Sequence, residues 1–524
     1  MNEIMGFDQR ALDRARLSRD ARFDGRFFIA VTTTGIYCRP VCPAPSPKQS
    51  NVRYYPTAAA AAEAGFRPCL RCRPEAAPGT PAWLGASAVV RRTLRLIQDG
   101  ALDEMTVDEL AARVGIGPRH LHRLFTQHVG ASPVCVAQTR RLHFAKRLLD
   151  ETDLPITQVA LAAGFGSLRR FNDTFRKTYQ RAPRELRKSR RTRSETSAEE
   201  VALKLAFRPP YDWSHVRDFL ATRCVPGVER IDARGYARTI ACSDGHATVC
   251  VQPLDRENAL ELRVRGAPPA DLFQISAAAR RVFDLASDPA SIAAAFNADA
   301  LLAPLMRLRP GLRIPGAWDP FECAVRAVLG QQVSVAAART LAARLVARAG
   351  HPIPNGADGL THLFPSATAL AAANLDGLGI TGARVAALQT LAQAVMDGRV
   401  DFNASAEEFT QALASLRGFG AWTAQYIALR ALGEPDAFPT GDLVLRRMAG
   451  NGSPLTIREL EAHAEMWRPW RGYAVMHLWR AAGDPVAVAP ARKTAARRTA
   501  AGKTAAEQVR NRASKGSDRT TTDP

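Results

Sequence analysis

Apolar residues recur at helical spacing through much of the chain. Val107, Leu110, Ala111 and Val114 line one face of a predicted helix, and Thr106 stands at its N-cap. Gly115 predicts a turn, and Gly117-Pro118 opens a second helix with Leu121, Leu124 and Phe125 inward. A long helix is predicted from about Pro133 to Leu149, after which the pattern repeats. Ile156, Val159, Ala160 and Ala163 line one helix, Gly164 turns it, Ser167 caps the next, and Phe171 and Phe175 face inward. The period changes near residue 200. Leu260, Leu262 and Val264 alternate with Glu261, Arg263 and Arg265, which predicts a half-buried strand; 237–241 and 247–252 read alike. Residues 272–286 turn helical again, and from Asp319 onward the pattern is helices with short loops.

Polar and Pro/Gly-rich stretches punctuate this pattern at 73–82 and 189–199, and from about 488 the chain is low-complexity Ala, Lys, Arg and Thr. The expected organisation is multidomain, mainly α with α+β parts. It comprises a small four-cysteine unit at 1–78, a helical unit with two helix-turn-helix motifs at 83–188, an α+β unit at 200–312, an all-α unit at 313–487 and a disordered basic tail at 488–524.

Charge narrows the function. The 524 residues carry a formal +21. Residues 1–199 hold 33 basic and 19 acidic side chains, 200–490 hold 29 and 28, and 491–524 hold 9 and 3. Such an excess favours a polyanionic partner. No apolar run is long enough to span a bilayer, and the charged N-terminus has no signal-peptide core, so the expected setting is cytoplasmic, away from membranes, with reduced thiols.

Cys38, Cys42, Cys69 and Cys72 form a C-x3-C-x26-C-x2-C array. Two close thiol pairs separated by a loop suit a tetrahedral Zn²⁺. Exposed Arg119, His120, His122 and Arg123 on the first predicted recognition helix, and Arg169, Arg170, Asn172 and Arg176 on the second, form basic faces suited to a major groove. In the C-terminal unit, Gly418 and Gly420 permit a tight turn whose backbone N–H groups can hold a phosphate. Taken alone, that pair reads equally as an ordinary turn, and Asp442 reads as the N-cap of a helix over Leu443–Met448.

The motifs TTGIYCRPVCPA and GFRPCLRCRP resemble the N-terminal domain of Ada-type DNA repair regulators. The resemblance implies that Cys38 is both a zinc ligand and a suicidal acceptor of methyl groups from DNA methylphosphotriesters. Cys42, Cys69 and Cys72 are then the other ligands, and Arg67 and Arg71 face phosphates or simply solvent. Losing one negative charge on methylation is expected to strengthen DNA binding. The spans ARVGIGPRHLHRLFTQHVGASP and AAGFGSLRRFNDTFRKTYQRAP resemble AraC-type DNA-binding domains, which implies a transcriptional activator with promoter DNA and RNA polymerase as partners.

Residues 200–484 resemble 3-methyladenine DNA glycosylase II, an AlkA-like member of the helix-hairpin-helix superfamily. The resemblance rests on Tyr211-Asp-Trp213, RPGLRIPGAWDPFE, VLGQQVS, the hairpin LRGFGAWTAQY, the Asp442 loop and RPWRGYAVMHLW. It implies hydrolysis of the N-glycosidic bond of alkylated purines, with Asp442 catalytic and Trp422, Tyr426 and Trp479 holding the flipped base. Gln332 takes the place of an apolar wedge. Bifunctional relatives carry a lysine where Trp422 stands, so no lyase activity is expected. The methyltransferase motif Pro-Cys-His-Arg and an iron–sulfur cysteine cluster are both missing from the sequence. A regulator with a non-catalytic glycosylase-like DNA clamp is the alternative.

Overall fold

A computed structural model describes residues 7–78, 88–187, 200–354, 356 and 358–483. The expected basic tail lies outside these residues, as do the whole 189–199 stretch and the end of the 73–82 stretch.

The N-terminal unit is a four-stranded sheet in the order Val52–Tyr55, Phe28–Val31, Ile36–Cys38, Arg67–Pro68. The last pair is parallel and the others antiparallel. Its two faces carry separate small cores, one around Leu12, Phe27 and Ile29, the other around Phe28, Ala30 and Tyr37, as the alternation of a strand requires.

Both helix-turn-helix pairs form where the apolar period places them. The first comprises Val107–Arg113 and Pro118–His128, the second Ile156–Ala162 and Leu168–Tyr179, and the 19-residue helix Pro133–Glu151 joins them. Thr106 caps through a full capping box with Glu109, and the Ser167 hydroxyl accepts from the Arg170 N–H. Leu121, Phe125, Phe171 and Phe175 are fully buried. Leu124 and Asn172 are both only half-buried, so the inward and outward faces are less clean than the pattern implied.

The predicted α+β unit is a five-stranded antiparallel sheet ordered Glu200–Ala206, Ala259–Arg265, His246–Pro253, Gly235–Ala241, Glu229–Asp232. Leu260, Leu262 and Val264 point inward as expected. Glu261, expected outside, is buried because Gln252 and Arg263 both donate to its carboxylate. The all-α unit departs from short loops at 350–366, where His351–Pro352 and His362–Leu363 pair as a two-stranded ladder.

The cores cross the expected divisions. One cluster joins the second helix-turn-helix (Val159, Phe171) and the long helix before it (Leu148) to the sheet (Leu203, Val249, Leu262). Another joins Ile292, Phe296 and Leu302 to the C-terminal helices. An amphipathic sheet must cover its apolar face, and here a helix from the preceding unit helps to cover it. Buried polar contacts reinforce the junction. Arg26 pairs with Asp288 at 2.9 Å, both nearly inaccessible, and the Tyr37 hydroxyl meets His143 Nε2 at 3.0 Å.

Candidate metal centre and candidate active site

Strand and turn geometry gather the four cysteines. Cys38 ends the strand Ile36–Cys38, and the Cys42 N–H closes a turn onto the Arg39 carbonyl. The Cys69 N–H bonds to the Tyr37 carbonyl, so the parallel strand pair brings the second thiol pair beside the first. The four sulfurs lie within 4.8 Å of one another. Cys69 and Cys72 are buried, and Cys38 and Cys42 are half-buried.

The crowding is electrostatically loaded. Hydrogen bonding with Cys42 and then Cys69 pushes the Cys38 thiol up, and its three cysteine neighbours push Cys72 up. Hydrogen bonding with Cys38 holds Cys42 down to about 7 and holds Cys69 lower still. Four such thiols cannot all ionise without a cation among them, and four sulfur donors at this separation fit Zn²⁺. The Arg39 N–H points at Cys72 Sγ at 3.4 Å, while its guanidinium pairs with Asp24 and donates to the Cys72 carbonyl at 3.1 Å. Arg67 and Arg71 are exposed beside the second thiol pair. Arg119, Arg123, Arg169, Arg170 and Arg176 are exposed along their helices.

At the other end of the chain, Gly418 and Gly420 form the hairpin between the helices Ala406–Ala414 and Ala421–Arg430. Gly418 has φ +95°, and a Cβ there would sit 2.9 Å from that of Ala387, so this position admits glycine for two reasons. Gly420 is the N-cap of the second helix, which leaves that helix's first N–H groups facing outward.

Asp442 does two things at once. Its Oδ1 accepts the Leu445 N–H at 2.9 Å and caps the helix Leu443–Ala449. Its Oδ2 accepts the Trp422 indole N–H, also at 2.9 Å. The N-cap reading is met by Oδ1, and Oδ2 is left to face the indole of Trp422. Trp422 stacks on Tyr426 with ring centroids 5.3 Å apart and planes 8° from parallel, and Tyr426 lies 6.1 Å from Trp479. The three rings and the carboxylate are all half-buried and lie in a chain of contacts.

Gln332 is exposed at the turn between the helices Pro320–Leu329 and Val335–Ala349, with a left-handed backbone (φ +56°). Exposed Val333 and Val335 flank it.

Two residues of this site were not singled out from the sequence. Gln331 donates to the Gly418 carbonyl at 2.9 Å and to Thr423 Oγ1 at 3.2 Å, which ties the Gln332 turn to the hairpin. Its signal lay in the VLGQQVS motif, one position before the residue chosen. Arg430 is buried, donates to the Tyr426 hydroxyl at 2.9 Å and to the Gly316 carbonyl at 3.0 Å, and lies over the Phe219 ring. Its spacing of four from Tyr426 on one helix was the available sign.

Four family models match in chain order: the metal binding domain of Ada over 11–75, a helix-turn-helix domain over 110–189, the AlkA N-terminal domain over 202–319, and the HhH-GPD superfamily base excision DNA repair protein over 325–471. The chain is 43% identical over 486 residues to a probable bifunctional transcriptional activator/DNA repair enzyme AlkA of Mycobacterium tuberculosis, covering 92% of this chain and 98% of the relative. It is 35% identical over 284 residues to DNA-3-methyladenine glycosylase 2 of Escherichia coli, covering 53% of this chain and 97% of that protein. It is 38% identical over 149 residues to the bifunctional transcriptional activator/DNA repair enzyme Ada of Escherichia coli, covering 28% of this chain and 40% of that protein.

Proposed function

The chain belongs to the family of bifunctional transcriptional activator/DNA repair enzymes that join an Ada-type regulator to an AlkA-type glycosylase, and from that premise we propose how its residues divide the work. Residues 1–78 and 83–188 are the sensor and DNA reader, 200–312 and 313–487 are the glycosylase, and 488–524 adds general DNA affinity through its charge. No helix among the described residues is long and apolar enough to cross a membrane.

The glycosylase hydrolyses the N-glycosidic bond of alkylated purines such as 3-methyladenine. Alkylation at N3 or N7 leaves the base cationic and ready to leave. The Gly418/Gly420 hairpin and the following helix N-terminus hold a backbone phosphate, and Gln332 fills the stack where the base is extruded. Trp422, Tyr426 and Trp479 receive the base on electron-rich faces, a contact each worth about 0.5–2 kcal/mol. As the bond breaks, positive charge moves onto the sugar, and the Asp442 carboxylate stabilises it or orients the attacking water. Trp422 holds that carboxylate in place through Oδ2. An indole cannot form a Schiff base, so the product is an intact abasic site without strand cleavage.

The observation that carries this reading is the carboxylate fixed by two N–H donors beside three aromatic rings. Release of 3-methyladenine from methylated DNA by the wild type and its loss in Asp442→Asn is the test. No release by the wild type leaves the clamp alternative standing.

In the sensor, Cys38, Cys42, Cys69 and Cys72 would hold Zn²⁺, which when bound keeps sulfur ionised at neutral pH. The Cys38 thiolate attacks the methyl carbon of a methylphosphotriester. A sulfur–carbon bond forms, the carbon–oxygen bond breaks, and the phosphodiester leaves as an anion. Arg67 and Arg71 hold the flanking backbone, while Arg119, Arg123, Arg169, Arg170 and Arg176 dock the two recognition helices on promoter DNA, where the protein contacts RNA polymerase. Mass spectrometry after incubation with methylated DNA should find one added methyl on Cys38. Oxidation of that residue without methylation would refute methyl transfer.

A further inference from the structure

A cavity of about 1010 Å³ opens where the helices Ala88–Gln98 and Leu272–Val282 meet the segments 404–408 and 432–437. Among the described residues eight arginines and six carboxylates line it. The carboxylates are largely engaged. Asp99 takes Arg281, Glu408 takes Arg92, and Asp436 takes both Arg468 and Arg471. Asp284 is half-buried, accepts from the Tyr473 hydroxyl and the Ile314 N–H, and has its carboxyl pushed up to about 6 by desolvation.

Three of the eight arginines pair with none of these six carboxylates. Arg95 spends its donors on the carbonyls of Leu432, Phe402 and Ala404. Arg147 is 8% exposed, donates to the Lys204 carbonyl at 2.8 Å, lies 4.0 Å from the Glu151 carboxylate outside the cavity lining, and keeps a buried Nε without a hydrogen bond. The half-buried Arg280 side chain has no hydrogen bond or ion pair among the described residues, and its Nη2 is fully enclosed. Burial pushes its pKa down to about 9, and the charges of Arg147 and Arg208 push the same way. A part-buried guanidinium facing other guanidiniums is costly, and an anion in the cavity would offset that cost.

We propose that this cavity binds a small phosphorylated anion of nucleotide size, with Arg280 and Arg147 as its principal ligands and Arg95 as a third cation. The guanidinium fork matches phosphoryl oxygens, and the cavity has the volume of a small-molecule site. Half-buried Phe273 supplies an apolar wall for the remainder of the ligand. The cavity borders the residues that follow Arg430, whereas the hairpin lies at Gly420, at the other end of the same helix. Gln425, midway along that helix, also lines the cavity, about 8 Å of helix from Gly420. None of Gly418, Gly420 and Gln332 lines it, so the enclosed cavity suits a free solute better than a duplex.

The test uses the full zinc-loaded chain and isothermal titration with inorganic phosphate, pyrophosphate, adenosine diphosphate and a short unmodified duplex. The diphosphate should bind once per chain and raise Tm, and Arg280→Met should weaken it at least ~10-fold. Arg280→Lys should fall between. The ligand-free Arg280→Met protein should be at least as thermostable as wild type, because the substitution removes an uncompensated, part-buried charge. A merely structural arginine would give the opposite sign. Should Arg280→Met fail to fold, Arg147→Gln is titrated in its place with the same tenfold criterion. Binding by none of the phosphorylated probes, or binding unchanged in the variant, overturns the proposal. Displacement of the diphosphate by duplex would show the phosphoryl group to be that of DNA and overturn the small-solute source.

Discussion

Replacing Asp442 by Asn separates the two uses of one side chain. The carboxylate accepts two N–H groups, one on each oxygen, at 2.9 Å each. Asparagine offers one acceptor and one donor. If its oxygen keeps the cap on Leu445, its amide meets the Trp422 N–H donor to donor. One bond to a charged acceptor is lost, about 1.5–3 kcal/mol when buried, and the half-exposed setting argues for the low end, about 1–2 kcal/mol of stability. The chemical step should suffer more. A full negative charge about 4 Å from a developing cation is worth about 4 kcal/mol at an effective dielectric of ~20, and losing it should slow single-turnover release of 3-methyladenine by roughly 10³. Trp422→Phe removes the indole N–H and part of the aromatic face but keeps the charge and the cap, so it should slow release by about tenfold, well short of the Asn variant. Both rates are measured with enzyme in excess and corrected for the folded fraction from a urea titration. An Asn variant within tenfold of wild type would refute the reasoning and reduce Asp442 to a helix cap.

Gly418→Ala should destabilise the protein by about 1–3 kcal/mol and weaken duplex affinity, since its backbone is left-handed and Ala387 blocks a Cβ; urea unfolding and fluorescence anisotropy report the two effects. Cys42→Ser should lower bound zinc from one per chain to near zero against a chelator and lower the Tm of the N-terminal unit, read by metal analysis and calorimetry. Acid should destabilise the glycosylase early. Burial pushes His215 down to about 4 and His477 to about 3, so both fold neutral. Their folded pKa values lie below the unfolded one, so this stability is fully present above about pH 6.5 and is lost as pH falls toward 4, about 3 kcal/mol for His215. The slope of unfolding free energy against pH measures it, and a flat profile between 6.5 and 4.5 would contradict it. Deleting 488–524 removes a net +6 from 491–524 and should weaken DNA binding and flatten its salt dependence while leaving single-turnover excision intact.

What the residue order determined is local. The Thr106 capping box, both helix-turn-helix pairs and the alternation at 260–264 depend on neighbours within about four residues, and each stands in the folded chain. The paired cysteine spacings and the Gly418/Gly420 turn were legible for the same reason. Tertiary structure alone decided what crosses long separations. It set the indole of Trp422 on Asp442, twenty residues away, and Gln331 on the hairpin, 87 residues away. It buried Glu261 by giving its carboxylate two donors, and it merged the second helix-turn-helix and the sheet into one core. It also left Arg280 without a counter-charge. Such contacts follow from how packed faces close on one another, and periodicity along a chain says which face is apolar but not which partner will cover it.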